Sequence, residues 1–394
     1  MVRFAIPNTR DMHIGDMRIA LLSFIVSRQR GEQFIARIED LDESNAIEGK
    51  DGEMQDILKK FAIEPDQLFY QSDSLGRHQQ FAVSLSESGN AVASGEDTTQ
   101  AKSTTYQLDT IKPNEPIISN DIIKGNMTTT PDELGSSTIL HSDGKPTQIF
   151  ATACDDMMMS ISMVIRDEEQ IGSSAREIYI KRLLGYGADT EYAHLPTIPN
   201  SSDITIKELL FDGFLPDAII NYLLSIGQNS PTEIFSLPDA IEWLSLEELS
   251  RDSVEFDMDR LRYLNAQHIE MIDDRLLSTL FGFADAHIGK LAKIFLDEAS
   301  TINELDSIIK TIFSPKECSG DDIMRVSTII QSSPMFSGFD EFEAYIISQS
   351  GLDSDRVTQL LSHLIVGRDS SQRLADIYSH IDPYITEIAR CSSC

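Results

Sequence analysis

Five residues near the N-terminus have the types and spacing needed to hold a charged, phosphorylated ligand. They are Arg3, His13, Gly15, Glu39 and Asp40. A histidine just before a helix can donate to a phosphate oxygen, and a neighbouring glycine leaves room for a flat ligand against the backbone. An arginine can pair with a carboxylate, and carboxylates that follow a strand lie where α/β proteins bind ligands. These residue types together favour a nucleotide-binding site.

The elements around these residues are expected to bring them to one edge of a sheet. Residues 2–6 are strand-like, residues 16–30 have the apolar periodicity of a helix, and residues 34–38 form a second strand-like run. A helix N-terminus carries about half a positive charge and free N–H groups, which attract phosphate. The pattern predicts the opening strand–helix–strand unit of a parallel α/β nucleotide-binding fold.

The composition is that of a globular protein with a strongly acidic charge. The chain has 394 residues, a length sufficient for two or three domains. Of these residues, 41% are hydrophobic and 24% are charged. Its formal net charge of -32 is opposite to that of most nucleic-acid binders. The first sixty residues are nearly balanced, so the excess acid lies further on. The charge lowers the expectation of a nucleic-acid partner without removing it.

The sequence carries no signal for a membrane or for secretion. No run approaches eighteen apolar residues, and the charged and apolar residues of the N-terminus alternate, unlike a signal peptide. The cysteines are too few and too scattered for a disulfide framework: Cys154, Cys318, Cys391 and Cys394. We therefore expect a cytoplasmic protein. The C-terminal Cys391-x-x-Cys394 spacing is read as a frayed tail, with metal capture as the alternative.

Three short blocks resemble the start of glutamyl-tRNA synthetases. Residues 3–5 read R-F-A, residues 12–15 read M-H-I-G and residues 37–42 read R-I-E-D-L-D, in the order and at the spacing of that family. His13 and Gly15 match the first and third positions of the HIGH signature of class I synthetases. Further segments that are similar to family motifs are residues 143–154, 164–169, 213–224 and 256–265.

The resemblance implies an α/β class I synthetase fold. It consists of a Rossmann-type catalytic domain with a small insertion, followed by an all-α C-terminal domain like those that bind anticodons. We expect the catalytic domain to span residues 1–225 and the helical domain to span residues 226–394. The insertion, at about residues 82–140, is rich in Ser, Thr, Asn, Asp and Gly, which predicts a small β-rich segment with long loops or a partly mobile one.

The second similar region is expected to return to the sheet. Residues 149–154 are read as a strand that ends at Asp155 and Asp156, whose carboxylates would act as caps. A helix is predicted over residues 174–184, with Gly185 as the candidate C-cap residue.

The resemblance implies a glutamate–tRNA ligase, which activates glutamate with ATP as an adenylate and transfers the glutamyl group to the 3′ end of tRNA. ATP and Mg²⁺ are the implied cofactors, and glutamate and tRNA are the implied partners. His13 and Gly15 are the implied catalytic residues, because they would seat the ATP phosphates. The full set implied by position is His13, Gly15 and Arg18 for ATP, and Arg3, Glu39 and Arg166 for glutamate.

The sequence departs from the family where phosphate charge would be neutralised. Between Pro196 and Gly213 the family carries a K-M-S-K-S-type loop, whose lysines stabilise the triphosphate. Here the segment is shorter, and Lys207 is its only lysine. The fourth position of HIGH is Asp16, a carboxylate beside the expected phosphate site. Mg²⁺ or Arg10 could compensate for it.

The expected amino-acid pocket is also altered. Gln148 stands where the family has a tyrosine, Thr152 where it has an asparagine, and Gln170 where an aromatic residue sometimes follows V-I-R. The charged recognition groups are kept, whereas the groups that shape the pocket differ.

These departures leave two further functions open. In the first, the chain keeps the fold, has little or no ligase activity, and binds a partner, a nucleotide or tRNA as a regulator. In the second, it still forms an adenylate but passes the acyl group to an acceptor other than tRNA. Loss of tRNA binding at low salt with retained ATP binding would indicate the second function, and loss of both would indicate the first.

Overall fold

The computed structural model describes residues 1–94, 107–201, 203–367 and 373–391. Part of the predicted insertion, residues 95–106, and Cys394 lie outside these ranges. Contacts divide the chain into two compact units, which we call the α/β unit and the helical unit. The α/β unit contains Met1–Leu209 and Ile219–Asp257, and the helical unit contains Leu210–Ala218 and Met258–Cys394. The domain boundary expected near residue 225 stays a prediction.

The strands belong to the α/β unit. They are β1 Val2–Pro7, β2 Phe34–Glu39, β3 Gln67–Tyr70, β4 Ala91–Ser94, β5 Gln107–Thr110, β6 Ile117–Asp121, β7 Gly125–Thr129, β8 Thr138–Leu140, β9 Met163–Asp167 and β10 Glu191–Leu195. Seven of them form one sheet in the order β3-β2-β1-β9-β10-β6-β7. Its neighbours are parallel except in the hairpin of β6 and β7. Strands β4, β5 and β8 form a second sheet, so the β-rich character predicted for the insertion is confirmed.

Nine helices are described before residue 250. They are α1 Ile14–Arg30, α2 Lys50–Lys60, α3 Leu75–Glu87, α4 Pro131–Leu134, α5 Gln148–Met158, α6 Ile171–Leu183, α7 Ile206–Phe211, α8 Pro216–Ser225 and α9 Leu237–Trp243. The helices predicted over residues 16–30 and 174–184 correspond to α1 and α6 and are confirmed. Gly185 follows α6 at a φ of 78°, the left-handed conformation that its prediction as a cap requires.

The described residues of the helical unit continue with short helices. They are α10 Met258–Met271, α11 Asp274–Leu280, α12 Ala286–Lys293, α13 Ile302–Phe313, α14 Asp321–Gln331, α15 Phe339–Ser350, α16 Ser354–Val366, α17 Leu374–Ile381 and α18 Ile385–Ile388. Among the described residues of the whole chain, no helix is both long and apolar enough to cross a membrane.

The unit β1–α1–β2 positions the candidate site. Strands β1 and β2 pair in parallel, with Pro7 opposite Glu39 at their carboxyl ends. Both strands are mostly buried, as expected for parallel strands covered on two faces. Helix α1 ends at Arg30 and is capped by Gly31, whose φ of 64° is the left-handed conformation that glycine adopts most readily. The turn returns the chain to β2, so that Glu39 lies at the same edge as the start of α1.

One predicted strand is wrong. Residues 149–154 lie in helix α5, whose N-cap residue Thr147 accepts a hydrogen bond from the backbone N–H of Phe150 at 3.4 Å. A six-residue apolar run cannot distinguish a buried strand from a buried helix by periodicity alone. Asp155 and Asp156 therefore do not cap a strand, because both lie inside the helix with buried side chains.

The helical unit packs around an apolar core and carries one disulfide. Side chains such as Phe342 are fully buried in that core. Cys318 and Cys391 form the disulfide, with their Cα atoms 5.5 Å apart. The interpretation of Cys391 as part of a frayed tail is therefore wrong. The two cysteines are 73 residues apart in sequence, and only the fold brings them together.

Candidate functional site

A cavity of about 590 Å³ lies at the carboxyl ends of β1, β2 and β9. Five of the six predicted site residues line it: Arg3, His13, Gly15, Glu39 and Arg166. The sixth, Arg18, lines an adjacent cavity of about 390 Å³, which also shares Gly15. The altered positions Gln148, Thr152 and Gln170 line the larger cavity as well. The structure thus gathers all of these residues around two neighbouring cavities.

His13 is the N-cap residue of α1, with extended backbone angles. Its backbone N–H donates to the Asp16 carboxylate at 3.0 Å. Its Nδ1 atom is buried and has no hydrogen-bond partner among the described residues. A buried polar atom without a partner costs free energy, so this ring nitrogen is a candidate to bind a ligand in the cavity.

Gly15 leaves an open space at the start of α1. A Cβ atom built on Gly15 would meet no heavy atom within 4 Å. Since Gly15 lines both cavities, that space is continuous with them. A ligand can therefore approach the first turn of the helix, where backbone N–H groups and the helix dipole favour an anion.

The Asp16 carboxylate is paired with Arg10. Arg10 Nη1 and Nη2 donate to the two carboxylate oxygens at 2.5 and 2.9 Å. The hydrogen bond to Asp16 raises the pKa of Arg10. The structure thus confirms that Arg10 compensates the negative charge of Asp16, as the sequence suggested.

Asp156 holds two arginines behind the cavity wall. Arg3 donates from Nε to Oδ1 at 2.8 Å and from Nη2 to Oδ2 at 3.3 Å, and Arg37 donates from Nη1 to Oδ1 at 2.6 Å. All three side chains are buried. Burial alone would raise the pKa of Asp156, but the charges of Arg3 and Arg37 lower it. The carboxyl is therefore ionised at neutral pH.

A second buried pair joins Arg166 to Glu177. Arg166 donates from Nη1 and Nη2 to the two carboxylate oxygens at 2.9 and 3.0 Å, a bidentate geometry. Its Nε atom is buried and has no partner among the described residues. Nearby Lys181 donates to the Tyr192 hydroxyl at 3.2 Å. Burial lowers the pKa of Lys181, although the charges of Asp156 and Glu177 oppose that shift.

These side chains form what we call the buried charge cluster. Its members are Arg3, Arg37, Arg166, Lys181, Asp156 and Glu177. The cluster has four cations and two carboxylates, so positive charge is in excess. Asp155 does not add to it, because its carboxylate accepts from Gln71 at 2.9 Å and contacts His78 at 2.6 Å. Glu39, at the cavity wall, has a side chain that is 24% exposed, and its carboxylate accepts from Arg37 Nη2 at 3.4 Å.

The sequence reasoning missed four members of this cluster. Arg37 had a visible signal, since it is a charged residue inside an apolar strand. Lys181 and Glu177 looked like ordinary polar positions of a predicted helix, and Asp156 was taken for a cap.

Arg18 is buried beside the smaller cavity. Its Nη2 atom donates to the backbone carbonyl of Ile226 at 2.8 Å. Burial lowers the pKa of Arg18 to about 10, against the opposing charge of Asp167. The guanidinium therefore stays protonated at neutral pH.

The shortened segment after β10 lies against the start of α1. Residues 204–206 pair with residues 12–14 through backbone hydrogen bonds of 2.9 and 3.3 Å. Its lysine, Lys207, forms an ion pair with Glu53 at 2.7 Å. Lys207 is not among the described residues that line either cavity.

A Ser–His–Asp arrangement lies deeper in the α/β unit. Ser174 Oγ and His194 Nε2 are 2.9 Å apart, and His194 Nδ1 and Asp121 Oδ2 are 2.6 Å apart. Ser174 and His194 are fully buried, so no substrate can reach this serine. The network joins β6, β10 and α6 and stabilises the sheet.

Comparisons with known proteins show which class of protein this fold belongs to. Residues 1–115 and 96–263 match the family described as tRNA synthetases class I (E and Q), catalytic domain. The structure is similar to that of a glutamate tRNA ligase from Elizabethkingia meningosepticum, solved in complex with its amino acid. The TM-score is 0.82 at 19% identity, over 98% of this chain and 97% of that one. The predicted α/β class I fold with an all-α C-terminal part is confirmed.

The sequence relatives define the family. The chain is 41% identical to glutamate–tRNA ligase 2 of Sulfurovum sp. (strain NBC37-1), over 99% of this chain and 100% of that protein. It is 37% identical to glutamate–tRNA ligase 2 of Sulfurimonas denitrificans, with the same coverage. The chain therefore belongs to the glutamate and glutamine group of class I aminoacyl-tRNA synthetases.

Proposed function

We propose that the protein is a glutamate–tRNA ligase, which activates glutamate with ATP and passes the glutamyl group to tRNA. The observation that carries this proposal is the excess of positive charge in the buried charge cluster, at the wall of a cavity that also contains Glu39. Membership of the synthetase family supports the reaction class, and the charge balance supports the amino acid.

Glutamate matches the charges around the larger cavity. It has two carboxylates and one ammonium group. The cluster has more cations than carboxylates, even though one of the cations, Arg37, is also paired with Glu39 at 3.4 Å. This excess favours a substrate that carries carboxylates, and Glu39 at the cavity wall would face its ammonium group. Arg3 and Arg166 line the cavity itself, and a planar guanidinium suits a carboxylate. A neutral side chain such as that of glutamine would leave a buried cation without compensation, which is unfavourable.

The residues at the start of α1 fit the phosphates of ATP. His13 has an unpaired buried nitrogen, Gly15 leaves open space, and Arg18 adds a buried cation. ATP would supply the adenylyl group that activates glutamate, and the protein would hold the α-phosphate in line with the glutamate carboxylate. Mg²⁺ would accompany ATP and be bound through the phosphate oxygens.

The acceptor and the location complete the proposal. We infer that tRNA is the acceptor and that the protein works in the cytoplasm, where ATP, glutamate and tRNA are all present. Since the chain has a net charge of -32, tRNA would be bound through local basic patches, and binding should weaken as salt rises.

ATP–pyrophosphate exchange tests the proposed function. The assay contains glutamate, Mg²⁺ and bulk tRNA, with glutamine and aspartate in parallel reactions. We expect exchange with glutamate that is lost in His13→Ala and is much weaker with glutamine. No exchange by a folded protein would favour the non-catalytic regulator. Exchange with glutamate in a protein that does not bind tRNA would favour an acceptor other than tRNA.

A further inference from the structure

The cations around the two cavities are not equally available to a phosphate chain. Those that line them in the described part of the protein are Arg3, Arg10, Arg18 and Arg166. Arg3 and Arg166 are buried and hold carboxylates with two nitrogens each. Arg18 is buried and donates to a backbone carbonyl. Arg10 is the cation of this set that solvent reaches, because 45% of its side chain is exposed.

Arg10 lies where a triphosphate would meet the first turn of α1. It lines the larger cavity together with His13, Gly15 and Asp16. Its hydrogen bonds to Asp16 and one of 3.1 Å to the carbonyl of Asp11 occupy three of its five N–H groups. The remaining N–H groups can donate to a phosphate oxygen while the pair with Asp16 is kept or exchanged.

We propose that Arg10 is the residue that neutralises the phosphate chain of ATP in this protein. This inference rests on the proposed function and deepens it. In the activation step a glutamate carboxylate oxygen bonds to the α-phosphorus, the bond from that phosphorus to the bridging oxygen breaks, and pyrophosphate leaves with the electron pair. Arg10 stabilises the charge on that leaving group. Asp16 is the counter-ion of Arg10 before ATP binds, and its carboxylate competes with the phosphates for the guanidinium.

The substitutions Arg10→Ala and Asp16→Asn separate this role from that of a structural ion pair. Both remove the same pair, so a purely structural pair predicts similar losses of activity and stability. If Arg10 binds phosphate, Arg10→Ala lowers kcat/KM for ATP in the exchange assay by about 10- to 100-fold. Asp16→Asn raises kcat/KM, because it removes a negative charge beside the phosphates and frees Arg10. Asparagine can still accept from the backbone N–H of His13, so the start of the helix is kept.

Two further variants complete the set. Lys207→Ala is the matched control, because Lys207 is paired with Glu53 and does not line either cavity, and we expect unchanged exchange. Arg10→Lys keeps the charge but loses the planar fork, and we expect activity between that of the wild type and Arg10→Ala. If Arg10→Ala does not fold, as judged by circular dichroism, Arg10→Lys and Asp16→Asn decide the question by moving kcat/KM in opposite directions.

Direct binding of Mg·ATP distinguishes failure of this inference from failure of the proposed function. Suppose that the wild type catalyses exchange. Equal losses of activity in Arg10→Ala and Asp16→Asn, or no loss in Arg10→Ala, then overturn the role of Arg10. The proposed function is unaffected by either result. ATP binding that depends on Arg10, without glutamate-dependent exchange, overturns the proposed function and supports the role of Arg10. No ATP binding by the folded wild type overturns both.

Discussion

The interior of the α/β unit is charged at the candidate site, whereas the interior of the helical unit is apolar. Arg3, Arg37 and Asp156 are all buried beside the larger cavity. In the described part of the helical unit, Lys316 is the only buried side chain with a formal charge. Buried ion pairs add little stability compared with apolar packing of the same volume. The helical unit is therefore stabilised mainly by apolar packing, whereas the buried charges of the α/β unit serve, in the function we propose, to bind the substrate.

The largest effect is expected from Asp156→Asn. This change leaves Arg3 and Arg37 buried without their shared carboxylate, which should lower the free energy of unfolding by about 3–5 kcal/mol. Denaturant unfolding measures it. The matched control is Asp132→Asn, which breaks the exposed pair with Lys112 and should have no measurable effect. Equal changes in the free energy of unfolding for the two variants would contradict this prediction, because the buried pairs would then contribute no more to stability than an exposed pair.

In the helical unit, the largest single effect should come from the disulfide. Cys318→Ser removes a cross-link between residues 73 apart in sequence. The free energy of unfolding should fall by about 2–4 kcal/mol, mainly because the unfolded chain gains freedom. Adding a reductant to the wild type should reproduce the loss in urea unfolding. Cys154→Ala, which changes the buried free cysteine, should keep the response to reductant. Identical unfolding curves for the wild type with and without reductant would contradict the prediction.

A smaller, pH-dependent effect is expected from Lys316. Burial lowers the pKa of Lys316 from 10.5 to about 8. Between these values the unfolded state binds more protons than the folded state, so the free energy of unfolding rises with pH across this window. Below pH 8 the cost of burying the ammonium group is fully present. Relative to Lys316→Met, the wild type should gain roughly 1–3 kcal/mol from pH 7.5 to pH 10. A constant difference between the two proteins would show that Lys316 is solvated in the folded state.

The smallest stability change should come from Gly15→Ala. The added Cβ meets nothing within 4 Å, and alanine favours a helix over glycine, so stability should stay equal or rise by up to about 1 kcal/mol. ATP binding, measured by calorimetry, should weaken because the methyl group enters the cavity. Gly172→Ala in α6 is the control, since its Cβ would make only an ordinary contact, with Arg176 at 3.8 Å. If both variants bind ATP as the wild type does, Gly15 is not at the nucleotide site.

The strands and the helix that position the site could be predicted from the sequence, because each is indicated by a local pattern of residues. Two apolar runs and a stretch of helical periodicity indicate β1, α1 and β2, and residues that line the cavity lie in or beside these elements. The ion pairs behind the cavity could not be predicted in this way. Arg3 and Asp156 are separated by 153 residues, and their contact depends on the packing of α5, which the apolar run had indicated as a strand. The disulfide could not be predicted for the same reason, since nothing near Cys318 in the sequence identifies its partner.

Charging of tRNA tests the central claim most directly. The purified protein is incubated with radiolabelled glutamate, Mg·ATP and bulk tRNA, and RNA-bound label that mild base releases is measured against His13→Ala. Our account predicts glutamyl-tRNA from the wild type and background label from the variant. Equal background in both, from a wild-type protein shown to be folded, would contradict it.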